Sequence, residues 1–390
     1  MLVHAAIFAF LLAHSDSRTN SVAGAAVPSQ PKVQVLRVPD GGIEPDAQVD
    51  RDGDVHLVYF KGDPAHGDVL YARAKQGAGF DPPVRVNSKP GCALVVGSVR
   101  GPRLAVGKNN RVHVAWTGSE KAEPRAPGGA TPLLYARLND AGDGFESQRN
   151  VISRYAGLDG GGGIAADKDG SVYVAWHAPK VEKTEADRFV WVARSTDDGR
   201  TFEPETSANQ TATGVCGCCG LRIFTNADGH VFVLYRSATQ MVHRDMYLLE
   251  SGDRARKFSM TKVSAWESGA CVMSTAAFAQ GDHKVFAAWE AAGQVFLGAI
   301  DPSGRVTNTV PMPGDVRSRK HPAVATNSKG DVIVAWTEGT AWEKGGSVAW
   351  HVFDREGKSV EGARGSAEGL PAWGTPTVFT RSDGTFVVMF

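Results

Sequence analysis

The stretch Asp169-Gly-Ser-Val-Tyr-Val-Ala-Trp176 shows the pattern that decides the fold: a tight-turn signal, then a short apolar strand that ends on an aromatic residue. The apolar strand occurs seven times, at residues 55–59, 112–116, 172–176, 231–235, 285–289, 332–336 and 386–390. Successive copies start 57, 60, 59, 54, 47 and 54 residues apart. A short strand that repeats at this period indicates an array of similar small sheets.

Each copy belongs to a larger unit of short strands. A weaker apolar strand precedes several copies across an Asp-Gly or Asn-rich pair, and such pairs tolerate the positive φ of a tight hairpin. A third strand follows, as at residues 69–73, 133–137 and 190–194, and a weaker fourth strand completes the unit. Four-stranded antiparallel units in this number predict an all-β protein, a β-propeller whose blades stack around a central channel.

The number of copies predicts seven blades, with a six-bladed ring as the alternative. The inner strands of the seventh unit lie in residues 375–390, and we expect residues 33–38 to supply its outer strand. That N-terminal strand would close the ring and remove an exposed sheet edge. The expected domain organisation is a leader or signal peptide at residues 1–30 and a single propeller domain at residues 31–390.

Charge and hydropathy limit the partners and the location of the protein. Lys and Arg total 42 and Asp and Glu total 42, so the formal net charge is zero. This balance argues against nucleic acid or an anionic membrane surface as a partner. The apolar run at residues 2–13 has the length of a signal peptide, and no later segment is apolar enough to span a membrane. We therefore expect a secreted or periplasmic protein without an integral membrane segment.

Glycine is unusually frequent, at 45 residues, although the apolar fraction of 42% is ordinary for a folded protein. Repeated hairpins account for many of these glycines. The run Gly160-Gly-Gly-Gly163 is expected where segments of the chain crowd together near the propeller axis.

Residues 195–202 match the pattern Ser-x-Asp-x-Gly-x-Thr-aromatic, and a partial second copy contains Ser251, Asp253 and Phe258. Short Ser and Asp side chains can hydrogen-bond the backbone of a hairpin between third and fourth strands, while Gly accepts the strained position. Together with the blade repeat, the pattern resembles the Asp box, or BNR repeat, of the sialidase-like propellers. This motif is specific for the fold and uninformative about catalysis, because such hairpins lie at the blade periphery.

The resemblance implies a catalytic site that the sequence can be compared with. Sialidases hold the carboxylate of sialic acid with three arginines and use a Tyr–Glu nucleophilic pair and an Asp acid/base. The Phe/Tyr-Arg-Ile-Pro segment of that family is absent here, where Gly42-Ile-Glu-Pro-Asp46 contains no arginine. The candidate catalytic residues are Tyr155, Asp159 and Glu267, without a demonstrable complete sialidase set.

Four of the five cysteines precede the first strands of neighbouring units. Cys216, Cys218 and Cys219 stand within four residues, and Cys271 occupies the equivalent position one unit later. One interpretation is a disulfide between the 216–219 loop and Cys271. A second is a soft-metal site for Cu(I) or zinc with Met273 as a further ligand, and a third is a nucleophilic thiol. Apart from such a metal, no cofactor is indicated.

Polar residues at the same end of the units form a candidate ligand site. They are Arg103 and Arg222 at the starts of first strands, Arg236, His243, Arg244 and Asp245 in one connection, and Trp266 from the next unit. The first hypothesis is that the channel mouth recognises glycan or another small molecule. The alternatives are a glycoside hydrolase of the exo-sialidase type and a cysteine-ligated metal protein of the cell envelope. No sequence feature indicates the oligomeric state.

Overall fold

The computed structural model describes Met1 and residues 31–181, 184–315 and 318–390. Apart from Met1, the leader expected at residues 1–30 lies outside the described residues. Pro31–Phe390 cluster into one unit. In the described part of the chain, no helix has the length and hydropathy needed to cross a bilayer.

Strand β1 (Val33–Leu36) precedes the first blade. Blade 1 contains β2 (Ile43–Val49), β3 (Val55–Lys61), β4 (Asp68–Ala74) and β5 (Val84–Arg85). Blade 2 contains β6 (Arg103–Val106), β7 (Val112–Thr117), β8 (Leu133–Arg137) and β9 (Arg149–Asn150). Blade 3 contains β10 (Gly163–Ala166), β11 (Val172–Pro179), β12 (Arg188–Ser195) and β13 (Thr206–Ser207).

Blade 4 contains β14 (Arg222–Thr225), β15 (Val231–Arg236), β16 (Met246–Ser251) and β17 (Ser259–Ser264). Blade 5 contains β18 (Ala276–Gln280), β19 (Val285–Ala291), β20 (Gln294–Ile300) and β21 (Val306–Pro311). Blade 6 contains β22 (Arg319–Thr326), β23 (Val332–Glu338), β24 (Gly346–Phe353) and β25 (Ser359–Leu370). Blade 7 contains β26 (Thr377–Thr380) and β27 (Phe386–Met389). The helices of the described chain are short 3-10 turns at Pro39–Gly41, Lys108–Asn110, Pro127–Gly129 and Glu185–Asp187.

The sheets confirm the seven-bladed propeller and exclude the six-bladed alternative. In blades 1 to 6 the four strands pair in chain order, and every pair is antiparallel. Blade 7 has the order β1-β27-β26, so the N-terminal strand closes the ring as expected. β1 runs parallel to β27, with Val33 opposite Phe386. Since β1 reaches this sheet from the far end of the chain and not through a hairpin, no short turn imposes an antiparallel direction.

Seven buried apolar clusters lie between the blades, one at each interface of consecutive blades. The aromatic residue that ends each repeated strand is buried at such an interface. These residues are Tyr59, Trp116, Trp176, Tyr235, Trp289, Trp336 and Phe390. Burial of each large ring stabilises the ring of blades by about 2 kcal/mol or more. The repeat seen in the sequence is therefore the repeat of the blade-to-blade contacts.

The first strands of the seven blades line a central channel of about 620 Å³. Small residues such as Ala47, Ala105 and Ala277 are among those that line it, so the strands can approach the axis closely. Because all seven strands run in the same direction, their starting ends lie at one end of the channel. We call this end the mouth.

The hairpin at residues 195–202 joins β12 to β13 and makes the hydrogen bonds expected of its side chains. The Gly199 N–H donates to Ser195 Oγ at 2.9 Å, and the Thr201 hydroxyl donates to Asp197 Oδ2 at 2.6 Å. Burial disfavours the Asp197 carboxylate, but the hydrogen bonds from Thr201 and Ser195 lower its pKa to about 2. In the partial copy, Ala255 stands where Gly199 stands and adopts a positive φ of 63°.

Candidate functional site

The loop that precedes blade 2 crosses the mouth. Its residues 96–101, which we call the crossing loop, contact residues that precede or belong to four other blades. These residues are Glu44 of blade 1, Asp159 before blade 3, Met273 before blade 5 and Trp342 of blade 6. The mouth therefore has a floor built from the crossing loop, and side chains from several blades meet above the channel.

The glycine run before blade 3 packs against this floor, as its composition suggested. A Cβ atom on Gly160 would lie 2.7 Å from the carbonyl oxygens of Gly217 and Cys219. A Cβ on Gly161 would collide with the carbonyl oxygen of Val99 in the crossing loop. Only glycine allows three segments of backbone to approach this closely at the axis.

Two arginines converge on one carboxylate at the mouth. Arg100 Nη2 lies 3.1 Å from Asp159 Oδ1, and Arg188 Nη1 lies 3.4 Å from Asp159 Oδ2. The Asp159 side chain is 48% exposed, whereas the Arg100 and Arg188 side chains are 16% and 11% exposed. The guanidinium groups thus form the wall of the site, and the carboxylate faces solvent.

Several polar atoms around this cluster have spare hydrogen-bonding capacity. Among the described residues, buried Arg188 Nε and His177 Nε2 have no hydrogen-bond partner. His177 Nδ1 lies 3.5 Å from Arg188 Nη1. Burial, and then the charges of Arg188 and Arg100, lower the pKa of His177 to about 3, so its imidazole is neutral. Buried polar atoms without a protein partner are sites at which ordered water can be bound.

Arginines outnumber aspartates in two groups of side chains at the mouth. Arg100 and Arg188 face the single carboxylate of Asp159. Deeper, Arg222 pairs with Asp46 at 2.8 Å, and Arg103 lies close enough to experience the charge of Arg222. Each group has one more arginine than it has aspartates, although the whole chain has no formal net charge.

Glu44 does not offset this excess. Its side chain is fully buried, its Oε2 accepts the Gly101 N–H at 2.5 Å, and its Oε1 has no partner among the described residues. Burial raises the pKa of Glu44 to about 8, against the opposing effects of Arg103, Gly101 and Arg100. At neutral pH the group is therefore mainly a neutral carboxylic acid.

An aromatic surface lies beside the crossing loop. The Trp342 side chain is 55% exposed, and its ring is perpendicular to that of Trp373, with the ring centroids 6.3 Å apart. A Cβ on Gly97 would lie 3.5 Å from the Trp342 ring and 2.7 Å from Arg100 Nη1. A flat apolar ring next to charged hydrogen-bond donors is an arrangement suited to a sugar, which has one apolar face and many hydroxyl groups.

The cysteines before blades 4 and 5 meet beside the glycine run that precedes blade 3. Cys218 and Cys271 form a disulfide that joins the two loops. Cys216 and Cys219 are buried thiols with their sulfur atoms 3.2 Å apart, and Cys216 Sγ lies 3.5 Å from Cys218 Sγ. Cys92 lies elsewhere, buried between blades 1 and 2, where its thiol donates to the Lys89 carbonyl at 2.7 Å.

The two free thiols differ in acidity. The hydrogen bond with Cys219 and burial raise the pKa of Cys216. Burial also disfavours the Cys219 thiolate, but the hydrogen bond from Cys216, the Arg236 charge and the Ser274 N–H lower its pKa to about 6. Met273, expected as an additional metal ligand, directs its methyl group toward Gly97 in the crossing loop. The soft-metal site and the nucleophilic thiol stay predictions.

Buried ion pairs hold the cysteine loop in place. Arg236 Nη2 lies 2.9 Å from Glu290 Oε2, and Arg244 Nη1 lies 2.7 Å from Glu185 Oε2. Glu185 Oε1 also accepts the Gly217 N–H at 2.7 Å. Arg236 and Arg244 are therefore buried beneath the loop and bonded to these carboxylates, and a role in ligand binding stays a prediction for both.

The other residues proposed near the cysteines lie together at one edge of the loop. Asp245 accepts the Trp266 N–H at 2.9 Å and lies 2.7 Å from Lys262 Nζ. His243 lies 3.5 Å from the exposed carboxylate of Glu267. Trp266 packs against the cysteine cluster.

Tyr155, the remaining catalytic candidate, lies on blade 3 with its ring stacked on Trp191 at a centroid distance of 3.6 Å. Within the described ranges, no hydrogen bond or ion pair joins Tyr155 to the side chains of Asp159 or Glu267. The structure therefore brings Asp159 to the mouth with Arg100 and Arg188 but does not join the three proposed catalytic residues in one group.

Sequence reasoning did not select four residues of the mouth: Arg188, His177, Trp342 and Glu44. Arg188 is the first residue of β12, and Trp342 lies in the connection between β23 and β24. At neither position does the repeat offer an alignment. Trp342 carried one usable signal, since it stands outside the repeated strand, which four of the nine tryptophans end. The sequence around Glu44, Gly42-Ile-Glu-Pro-Asp46, gave no indication that this carboxyl group is buried at the mouth.

No protein-family profile and no curated protein sequence matches this chain. Solved structures share its fold. A protein of unknown function from Dyadobacter fermentans is 13% identical, with a TM-score of 0.52, over 87% of this chain and 97% of the other. The α-L-arabinanase of Penicillium chrysogenum, complexed with arabinobiose, is 15% identical, with a TM-score of 0.54, over 84% of this chain and 98% of the other. The NanB sialidase of Streptococcus pneumoniae is 9% identical, with a TM-score of 0.54, over 87% and 70%. The chain has the fold of the sialidase-like propellers.

Proposed function

We propose that the mouth of this propeller binds a carbohydrate that carries a carboxylate group. The observation that carries the proposal is the convergence of Arg100 and Arg188 at a half-exposed site next to the exposed ring of Trp342. A guanidinium group matches the geometry of a carboxylate, and an aromatic ring matches the apolar face of a sugar. The excess of arginines over aspartates at the mouth favours an acidic sugar over a neutral one.

The structural neighbours are compatible with this proposal. Two of them are named as an arabinanase and a sialidase, which are enzymes that act on carbohydrates. Their sequences are too distant for a site residue to be transferred, so the proposal depends on the residues of the mouth. A secreted or periplasmic location stays part of the proposal, and the Cys218–Cys271 disulfide is compatible with an oxidising compartment.

Matched pairs of sugars test the proposal by isothermal titration calorimetry. Sialyllactose is compared with lactose, and glucuronic acid with glucose, because the members of each pair differ chiefly in a carboxylate-bearing group. We expect at least one acidic member to bind about tenfold or more tightly than its neutral partner, a difference of about 1.4 kcal/mol. Equal affinity within both pairs, or no binding of any of the four, would contradict the proposal.

Trp342→Ala supplies a second arm of the same titration. Loss of the ring should weaken binding of the acidic sugar by about tenfold, since stacking on an aromatic face contributes on the order of 1 kcal/mol. Trp342→Phe keeps an aromatic face and should retain most of the affinity. If Trp342→Ala binds as tightly as the wild type, the sugar does not contact this ring.

Hydrolysis of the bound glycan is the second candidate function, and Glu44 is the observation that favours it. A carboxylic acid that keeps its proton at neutral pH is the group that a glycosidase uses to protonate a leaving group. Glu44 is bonded to the crossing loop directly beside Arg100 and is fully buried, so hydrolysis requires the crossing loop to move and give a glycan access to it. Incubation with fluorogenic sialosides, glucuronides and arabinosides tests this function. Release of fluorophore by the wild type that is lost in Glu44→Gln would support hydrolysis. No release from any of the three substrate classes would contradict it.

A further inference from the structure

The cysteine cluster next to the mouth has a geometry that glycan binding does not explain. We define the cluster as Cys216, Cys218, Cys219 and Cys271. The sulfur atoms of Cys216, Cys218 and Cys219 all lie within 4.8 Å of one another. Cys218 is bonded to Cys271, which leaves the buried thiols of Cys216 and Cys219 facing each other at 3.2 Å.

The backbone of the loop is held so that these two sulfur atoms converge. The Cys216 N–H donates to the Arg236 carbonyl at 2.9 Å, and the Gly217 N–H donates to Glu185 at 2.7 Å. The Cys219 N–H closes the turn by donating to the Cys216 carbonyl at 3.3 Å. Ligands fixed in this way before a metal arrives lose little conformational entropy on binding it.

The chemistry of the cluster favours a soft monovalent ion. The two free ligands are sulfur atoms, and among the described residues no carboxylate or imidazole shares the group of three cysteines. Thiolate sulfur selects Cu(I), which is satisfied by two such ligands, whereas a structural zinc site is filled by four. Val272 and Trp266 pack against the cluster and limit the access of water.

Charged groups of both signs lie near the cluster. Arg236 and Arg244 act on the sulfur atoms electrostatically, and their ion-pair partners Glu290 and Glu185 oppose them, so the fixed charges beside the two thiols balance. Cys218 is half-buried and Cys271 is exposed, so the disulfide lies on the side of the cluster that faces solvent.

We propose that Cys216 and Cys219 bind one Cu(I) ion as a pair of thiolates, with the Cys218–Cys271 disulfide as the outer wall of the site. Binding displaces whichever protons the two thiols still hold and requires no change in oxidation state of copper or sulfur. Through Gly217, which packs against Arg188 and Asp159, the same loop forms part of the glycan mouth. The two sites are nevertheless separate proposals, because in the described part of the chain no hydrogen bond joins either thiol to Arg100 or Arg188.

Competition with bicinchoninate under anaerobic conditions tests the copper proposal on the full chain. The wild type should take up one Cu(I) per molecule, and Cys216→Ser and Cys219→Ser should each lower the affinity at least tenfold. Cys92→Ser is the matched control, because it removes a buried thiol from a different interface, and it should bind copper as the wild type does.

X-ray absorption spectroscopy of the copper-loaded wild type identifies the atoms bound to copper. It uses no variant, so a variant that folds poorly cannot affect the result. A first coordination sphere of two sulfur atoms supports the proposal. Nitrogen or oxygen ligands, or equal copper content in Cys92→Ser and the Cys216→Ser/Cys219→Ser double variant, would overturn it. A Cys216–Cys219 disulfide in aerobically purified protein that takes up no copper after mild reduction would also overturn it.

Discussion

Arg100 Nη2 lies 3.1 Å from Asp159 Oδ1, although the two residues precede different blades and are 59 positions apart in the chain. The contact exists because the crossing loop carries Arg100 over the channel axis to the loop before blade 3. Arg188 reaches the same carboxylate from blade 3 itself. A site assembled from parts of several blades depends on the whole ring, and its residues can be tested one at a time.

Arg188→Gln should weaken binding of an acidic sugar by about tenfold to a hundredfold, since a charge-assisted hydrogen bond to a carboxylate contributes roughly 1.5–3 kcal/mol. Neutral sugars should lose much less affinity. Arg194→Gln is the matched control, because Arg194 belongs to the same strand and pairs with Glu203 at 2.9 Å at the blade periphery. Calorimetry measures the affinity of both variants for the acidic sugar. An equal loss of affinity in the two variants would show that Arg188 does not contact the sugar.

Gly217→Ala should disturb the mouth without a change of charge. The added methyl group would collide with Arg188 Nη1 and would lie 2.7 Å from Asp159 Oδ2. The arginine must then move, and we expect the affinity for the acidic sugar to fall about tenfold. Gly79→Ala is a suitable control, because a Cβ there meets no atom within 4 Å. Unchanged affinity in Gly217→Ala would show that the position of Arg188 does not matter for binding.

Glu44→Gln should change how stability depends on pH. Folded Glu44 keeps its proton up to a pKa of about 8, and the unfolded group loses it near 4.5. Between these values the folded state holds more protons, so this group lowers stability as the pH rises, by up to about 1.4 kcal/mol per pH unit. Glutamine cannot ionise and removes the effect.

Chemical denaturation at pH 5 and pH 8 measures this difference. The wild type should lose more free energy of unfolding between the two values than Glu44→Gln does, by about 1 kcal/mol or more. His177 and His321, with pKa values of about 3, act in the opposite direction below pH 6.5, equally in both proteins. Glu356→Gln, at an exposed position, should behave as the wild type. Parallel pH profiles for all three proteins would mean that Glu44 is ionised in the folded state.

Asp197→Ala should destabilise the propeller and leave sugar binding intact. Asp197 accepts hydrogen bonds from the Thr201 N–H, the Thr201 hydroxyl and the Ser195 hydroxyl in the hairpin of blade 3. Their loss should cost roughly 1–3 kcal/mol of unfolding free energy. Thermal denaturation and calorimetry together check both statements. A loss of affinity at unchanged stability would place this hairpin in the binding site, contrary to its peripheral position.

Most of the fold could be predicted from the sequence, because each blade repeats the same physical unit. Strands that end on Trp116, Trp176 and Trp289 fill equivalent blade interfaces, so their spacing alone indicated the ring and its seven members. The parallel direction of β1 could not be predicted, since strand propensity contains no information on the direction in which a distant segment pairs.

The site could be predicted only in part. The repeat placed the loops before blades 4 and 5 at the same end of the channel, and this was enough to bring Cys271 to the 216–219 loop. It could not show that residues 96–101 cross the axis, because the length of a loop does not fix its path. The partners of Arg100 and the surroundings of Trp342 depend on that path, so they could not be predicted from the sequence.

The central claim is that an acidic sugar binds between the arginine pair and Trp342. A crystal structure of the full chain soaked with the acidic sugar that calorimetry selects tests it most directly. The predicted result is a sugar carboxylate hydrogen-bonded to the guanidinium of Arg188 or Arg100, with the ring of the sugar against Trp342. A sugar bound at the opposite end of the channel, or at the mouth without contact to either arginine, would contradict the account.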